Sequence, residues 1–417
     1  MKDYVINIQQ KETKVINIKE ASTVYSFKGT SKLIIDNIQK NETQVLKLLE
    51  KQYPKIPKDK IKSDYLDFVS SLTQLKITKN NIEKIYFTKS TPLKFATIEI
   101  TNACPFRCDH CYIPNIKKKI SLIDYKKIVN ELLKIGCTEL LITGGEPMSH
   151  NNFVQMYLYA KQKGFIVSIN SNIYLLNSKI LEILKEYPPR IIEISLYGHD
   201  NKSYNSFTHA YGVFDTIDKN VNLLLKNNLN VGLKTVLTKR SKNYIYKIKE
   251  YADNLKVPFR FDYIIFPKED KTLINPERCS VSEIIDVLNQ DREVKKFFER
   301  RVRNLNTNIQ KSNRIFQCSI GDNRIFIDAQ LNIKPCLVVP IQYNLKNTGI
   351  EEAFTNFQKI KSTYKFEKEH KCMTCYKKAI CRYCPGKFYM ETGNYDNVPS
   401  FYCNLADEII KEFGKND

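Results

Sequence analysis

Between Phe95 and Phe266 the chain repeats one pattern six times: a short apolar, β-rich run, then a longer stretch with apolar residues at helical spacing. The runs are FATIEIT, ELLITG, FIVSIN, IIEISL, NVGLKTVL and FRFDYIIF. Strands alternating with helices predict a parallel sheet. Between the runs, Ser121 is placed to cap LIDYKKIVNELLKIG, and FDTIDKNVNLLLKNN sets Val221, Leu224 and Leu225 on one helix face. Six units fall short of the eight of a complete TIM barrel, so the expected α/β fold is a partial (β/α)6 barrel over residues 96–290, with a doubly wound sheet as the other topology. In either form the chemistry sits at the C-terminal ends of the strands. Cys104 follows the first strand directly.

The flanks are patterned differently. Residues 1–79 read as short strands followed by helices: KVINIKEASTVYSFKG alternates and ends in a turn glycine, and TQVLKLLEKQY and DYLDFVSSLTQL carry apolar residues at i, i+3 and i+4. The polar, asparagine-rich segment 80–95, broken by Pro92, is expected to be a connector. Residues 291–314 read as a basic helix and linker. Residues 315–417 have little periodicity and hold seven of the twelve cysteines, which predicts a fold that depends on metal.

Composition narrows the class. A 42% hydrophobic chain of 417 residues has room for two or three domains with cores of their own. No apolar h-region opens the sequence and no run of about 18 uninterrupted apolar residues occurs, so a cytoplasmic protein with no membrane span is expected. In that compartment thiols stay reduced, which turns twelve cysteines from a disulfide framework into metal ligands. The net charge of +21 would suit an anionic partner, but lysines scattered through every segment read first as solvated surface.

The stretch TNACPFRCDHCYIPN puts Cys104, Cys108 and Cys111 inside eight residues. Protein-bound [4Fe–4S] cubes use four thiolates, so a local trio leaves one iron open for a ligand unless a distant cysteine closes it. The other reading is half of a zinc site completed elsewhere. C-x3-C-x2-C followed by the aromatic Tyr112 at the end of a first strand resembles the signature of the radical S-adenosylmethionine (radical SAM) enzymes. In that family the open iron chelates the cofactor and delivers one electron that splits it to methionine and a 5′-deoxyadenosyl radical. LLITGGEP ends the second run where the family carries its glycine-rich cofactor loop; there Gly144 and Gly145 would let backbone approach a ligand and Glu146 would accept from an ammonium group. The resemblance also implies cofactor contacts at Asn170 and Ser171 after the third strand and at Ser195 near the end of the fourth. Ordinary loop capping explains these three residues equally well. Where the family often has an arginine beyond the fourth strand, this chain has Thr208 and His209.

In the tail, Cys318 and Cys336 precede CMTCYKKAICRYCPG, with Cys372, Cys375, Cys381 and Cys384, and Cys403 comes last. Paired C-x2-C motifs suggest a zinc ribbon, yet seven thiolates exceed one tetrahedral ion and fall one short of two four-iron clusters. The arrangement resembles the SPASM domain of peptide-modifying radical enzymes. Carried over, Cys318, Cys336 and Cys384 would hold an auxiliary cluster near the active site, and Cys372, Cys375, Cys381 and Cys403 a distal one, making three [4Fe–4S] clusters in all. The C-x2-C gap after Cys381 and the missing glycine in DAQLNIKPC depart from the pattern and put the partition in question. Cys137 reads as a small core residue and Cys279 as the residue before a helix cap.

The first region resembles the winged-helix-like peptide-recognition elements of ribosomally made peptide pathways, which bind a leader as an added strand. A nucleic-acid-binding winged helix is the competing reading, but the module has no arginine for base contacts. Together the resemblances imply a maturase that binds the leader of a precursor peptide and installs a crosslink, with a thioether first, as in sactipeptide and ranthipeptide synthases. A carbon–carbon bond or residue oxidation comes next, and a reductant such as ferredoxin or flavodoxin would supply electrons. From another class, the chain could be an iron–sulfur electron carrier or a nucleic-acid-binding regulator.

Overall fold

The computed structural model describes every residue except 1–2, 9–11, 21–22, 88–92, 114–115, 266, 268–274, 307 and 415–417. All six expected runs are strands of one parallel array: β5 (Phe95–Glu99), β6 (Glu139–Thr143), β7 (Ile166–Ser171), β8 (Ile192–Ser195), β9 (Val231–Val236) and β10 (Phe259–Asp262), numbered after four N-terminal strands given below. They lie in sequence order, the order of a singly wound barrel and not of a doubly wound sheet, whose strand order reverses. Partners in a parallel ladder share a face, and here the two faces differ sharply. Ala96, Ile98, Leu140, Ile142, Val167, Ile169, Ile192, Ile194 and Leu233 are all buried on one face against the helices. The other carries Thr97, Ser168, Asn170, Glu193, Ser195, Lys234, Arg260 and Asp262. An apolar outer face and a polar inner one make a barrel whose lumen can take a polar ligand.

The helices form as their patterns demand. Ser121 accepts the N–H of Asp124 and caps Leu122–Lys134, which buries Tyr125, Ile128, Val129, Leu132 and Leu133; such a cap is worth about 1 kcal/mol. Phe214–Lys226 buries Val221 and Leu224, with Leu225 only partly covered.

The third region is less separate than the sequence suggests. Its strand β11 (Arg324–Ile327) pairs parallel with β5, and β12 (Asn332–Lys334) and β13 (Tyr343–Asn344) extend the same sheet to nine strands. The basic segment holds a helix, Arg292–Arg303, that packs with Val281–Asn289 against the C-terminal helix Ser400–Phe413. A buried ion pair, Arg278–Glu391 at 2.8 Å, joins the end of the barrel to the tail. Leaving one member of such a pair alone costs about 3–5 kcal/mol, so the two parts are held in one arrangement.

The N-terminal module is α+β. Strands β1 (Tyr4–Ile8), β2 (Thr13–Asn17) and β3 (Val24–Phe27) form an antiparallel set, followed by helices Gly29–Asp36, Glu42–Gln52 and Lys58–Gln74. The expected connector differs here: Ile82–Phe87 is a strand, β4, paired parallel with β1, so the sheet order is β3-β2-β1-β4. Alternation in IEKIYF was masked by its polar, asparagine-rich surroundings, and only pairing with β1 selects the strand. Pro92 lies outside the described residues. Val5 and Ile16 approach Gly164, where an added Cβ would stand 2.8 Å from Val5, so the module rests directly on the barrel.

Candidate active site

The cysteine loop leaves β5 and is fixed from three sides. From the second strand, the N–H groups of Gly145 and Glu146 donate to the carbonyls of Thr101 (2.7 Å) and Ala103 (2.8 Å). A Cβ on Gly144 would fall 2.5 Å from the Thr101 carbonyl, and one on Gly145 the same distance from those of Asn102 and Ala103. The glycines therefore admit the backbone that leads into Cys104.

From the third strand, Glu146 makes the link. Its side chain is fully buried and accepts from Met148 N–H (2.9 Å), the Ser171 hydroxyl (2.7 Å) and Asn172 N–H (2.7 Å). Burial pushes its pKa up to about 7, and the three donors pull against that rise. Ser171 also accepts from Ile173 N–H at 2.8 Å, which leaves it bracing Glu146 within the loop. Asn172, which the sequence reading passed over, points its amide at the sulfur of Cys104 at 3.8 Å. Asn170 is different: its Oδ1 is buried on the lumen face and has no hydrogen-bond partner among the described residues.

The third side comes from the fourth and fifth strands. Thr208 is buried, and its carbonyl accepts Arg107 N–H at 3.0 Å. His209 pairs with Asp109 at 2.9 Å, and Arg240, beyond β9, reaches the same carboxylate at 2.9 Å. Beneath the loop Tyr197 stacks on Phe207 at 4.8 Å and His110 packs against both rings. Ser195 lies beside the Tyr197 hydroxyl. Tyr112 faces a polar cavity of about 210 Å³ lined also by Glu99, Asn102, Asp328 and Lys334.

The three thiols sit together and are partly buried. Burial pushes Cys104 up to about 12 and Cys108 well above the ordinary thiol range; Cys111 raises both further, and Cys104 raises Cys108. Desolvated sulfurs that repel one another when ionised fit a cationic centre that takes them as thiolates. Among the described residues no three His, Cys, Asp or Glu side chains converge on one point that would hold a single ion. A four-iron cube gives each thiolate its own iron, so ligands on one loop need not converge.

The tail thiols form two electrostatic groups. Cys336 is raised by burial and then by Cys384 and Cys318. Cys372 and Cys381 are raised by burial, to about 11 and about 12, and then both by Cys375 and Cys403, with Cys372 adding to the rise at Cys381. Cys137 is wholly buried in the barrel core, and Cys279 is buried among Leu237, Ile284 and Phe388 in the second apolar cluster.

No helix among the described residues is long and apolar enough to cross a membrane. The sequence matches the Radical SAM superfamily over residues 98–252. It is 24% identical over 325 residues to the antilisterial bacteriocin subtilosin biosynthesis protein AlbA of Bacillus subtilis, covering 74% of this chain and 70% of that one. It is 21% identical over 328 residues to an AdoMet-dependent heme synthase of Methanosarcina barkeri, covering 71% and 92%. Among solved structures, Streptococcus suis SuiB bound to precursor peptide SuiA aligns over 96% of this chain and 98% of that one with a TM-score of 0.64 at 14% identity, a likeness of fold. Within the barrel, residues 98–252 match the radical SAM domain, the unit that in this superfamily binds S-adenosylmethionine and an iron–sulfur cluster.

Proposed function

We propose that the chain is a peptide maturase that binds the leader of a ribosomally made precursor and installs a crosslink, most simply a thioether, in the core of the same peptide. The observation that carries this reading is the separation of the tail thiols into a set of four and a set of three. Cys318, Cys336 and Cys384 supply three ligands to a cluster whose fourth iron is free to take a substrate cysteine as thiolate. The wider comparisons point the same way, since AlbA takes part in bacteriocin synthesis and SuiB binds a precursor peptide.

In this reading Cys104, Cys108 and Cys111 hold the cofactor-binding cluster, Cys372, Cys375, Cys381 and Cys403 hold a distal one, and a cytoplasmic reductant such as ferredoxin or flavodoxin feeds electrons. When bound, cluster and S-adenosylmethionine supply a 5′-deoxyadenosyl radical that removes a hydrogen atom from the substrate. The chain's own residues orient the reactants. Asn170 offers its unpartnered carbonyl oxygen to the cofactor from the lumen face. Tyr112 borders the cofactor, and Ser195 contacts it from the end of β8. Gly144, Gly145, Glu146 and Ser171 hold the cysteine loop in register with β7. The N-terminal sheet ends at β3, whose outer edge takes the leader as a further strand. Tethering the leader makes delivery of the core intramolecular, at an effective level on the order of millimolar.

The deciding experiment incubates the anaerobically reconstituted enzyme with a leader-bearing, cysteine-containing peptide encoded beside its gene, S-adenosylmethionine and dithionite. A product two hydrogens lighter, with its cysteine blocked to alkylation, is expected. Loss of two hydrogens with a free thiol would instead assign a carbon–carbon bond or a residue oxidation. Cofactor cleavage that no peptide accelerates would remove the maturase reading.

A further inference from the structure

A second cavity is lined by none of the residues on the barrel's lumen face. It is a cleft of about 840 Å³ between the helix Arg292–Arg303, the segment after it and the tail loop that carries Cys375. Its walls combine three cations, Arg300, Arg301 and Lys378, with two exposed aromatic rings, Phe297 and Tyr376, and Cys375 itself. The hydrogen bonds of these cations all go to neutral groups, and Lys378 also lies near the thiols of Cys372, Cys375 and Cys381. Arg301 donates to the Ala379 carbonyl at 2.8 Å, Arg300 to the Lys296 carbonyl at 3.3 Å, and Lys378 to Gln317 Oε1 at 2.8 Å. None of the three has a carboxylate partner among the described residues, whereas nearby Lys296, Lys311 and Lys377 each have one. Exposed aromatics set among arginines are the composition of a protein-binding surface.

We propose that this cleft is the docking surface for an acidic, one-electron carrier protein that reduces the enzyme. The inference rests on the reading of Cys375 as a ligand of the distal cluster. Three features of the cleft choose this occupant over other anions. Unpaired cations attract an acidic surface and speed its encounter. The aromatic rings give it apolar contact that a phosphate backbone would not use. The wall of the cleft includes a cluster ligand, so a carrier seated there stands next to the acceptor. On docking, the carrier is oxidised by one electron and the enzyme's iron–sulfur centre is reduced by one, with no atom or proton transferred.

The test uses the reconstituted holoenzyme and reduced bacterial flavodoxin. Wild type should bind flavodoxin with an affinity that falls as salt rises from 50 to 200 mM. Arg300→Glu, a change at a side chain whose only named bond is to a carbonyl of its own helix, should weaken that binding about tenfold, and Arg300→Glu/Arg301→Glu further. The rate of enzyme reduction by flavodoxin should fall in step, while reduction by dithionite stays as in wild type. Unchanged binding and unchanged flavodoxin reduction in both variants would overturn the proposal. So would a cleft that binds a 20-base-pair DNA duplex in an Arg300-dependent way and ignores flavodoxin. Iron content is read separately: four irons in the wild-type chain would remove the distal-cluster reading, and the binding isotherms would still decide whether the cleft docks the carrier.

Discussion

The carboxylate of Glu146 accepts the backbone N–H of Asn172 at 2.7 Å, across 26 positions of sequence, and so fixes the end of β7 to the loop after β6. Because Asn172 in turn directs its amide to Cys104, one buried acid sets the spacing between the glycine loop, the third strand and the first cysteine. Four expectations follow from this brace and from the thiol groupings.

Glu146 has a pKa raised to about 7 by burial, from an ordinary 4.5. Between those values the folded protein holds a proton that the unfolded chain has lost, so this group's contribution to stability declines as pH rises through that window and is level above it. The difference in unfolding free energy between wild type and Glu146→Gln should therefore shift against wild type by about 2 kcal/mol from pH 5 to pH 8. Denaturant titrations at several pH values measure it, and parallel curves would show an ordinary carboxylate.

Removing the amide next to a cluster sulfur takes away a hydrogen bond that favours the reduced, more negative state. Asn172→Ala should lower the midpoint potential of the cofactor-binding cluster by on the order of 40 mV, the one-electron equivalent of about 1 kcal/mol. A redox titration followed by electron paramagnetic resonance reads this directly. A potential equal to that of wild type would show that the 3.8 Å contact carries no such bond.

Gly145→Ala would drive a methyl group into the carbonyls of Asn102 and Ala103, both main-chain atoms that cannot swing aside. The cysteine loop must move, at about 1–3 kcal/mol. We expect loss of 5′-deoxyadenosine production with the tail clusters retained, visible as about four irons fewer per chain. Full iron content and full cofactor cleavage would mean that the loop tolerates the shift.

The two tail groups should lose iron independently. Replacing Cys318, Cys336 and Cys384 together with alanine should remove about four irons and leave the other set intact, and replacing Cys372, Cys375, Cys381 and Cys403 should do the reverse. Iron and sulfide analysis after anaerobic reconstitution distinguishes this from a mixed ligation, in which either triple or quadruple change empties both sites. Zinc in place of iron would return the tail to a ribbon.

Periodicity alone determined the six strand–helix units, and the order in which the strands pair decided for the barrel. Six apolar runs, separated by helical stretches, were legible as six strands because each residue's face is set by its own local repeat, and the cap at Ser121 was legible because it needs only a neighbour three residues on. The spacing of Cys104, Cys108 and Cys111 was equally local, and so was the cofactor chemistry it implied. Tertiary structure decided what depends on distant partners. Ile82–Phe87 is a strand only because β1 lies beside it, and β11 joins the barrel only because β5 leaves an edge to pair. The sequence could name Gly144, Gly145 and Ser171 as ligand contacts, but which stretch of the protein a small or polar residue also meets is fixed by what folds against it. Here that neighbour is the cysteine loop, held by a buried glutamate whose three donors come from two separate segments of the chain. The approach of Cys318 to Cys384 rests on the same reason, since the two are 66 positions apart and are brought together only when the tail folds onto the sheet edge.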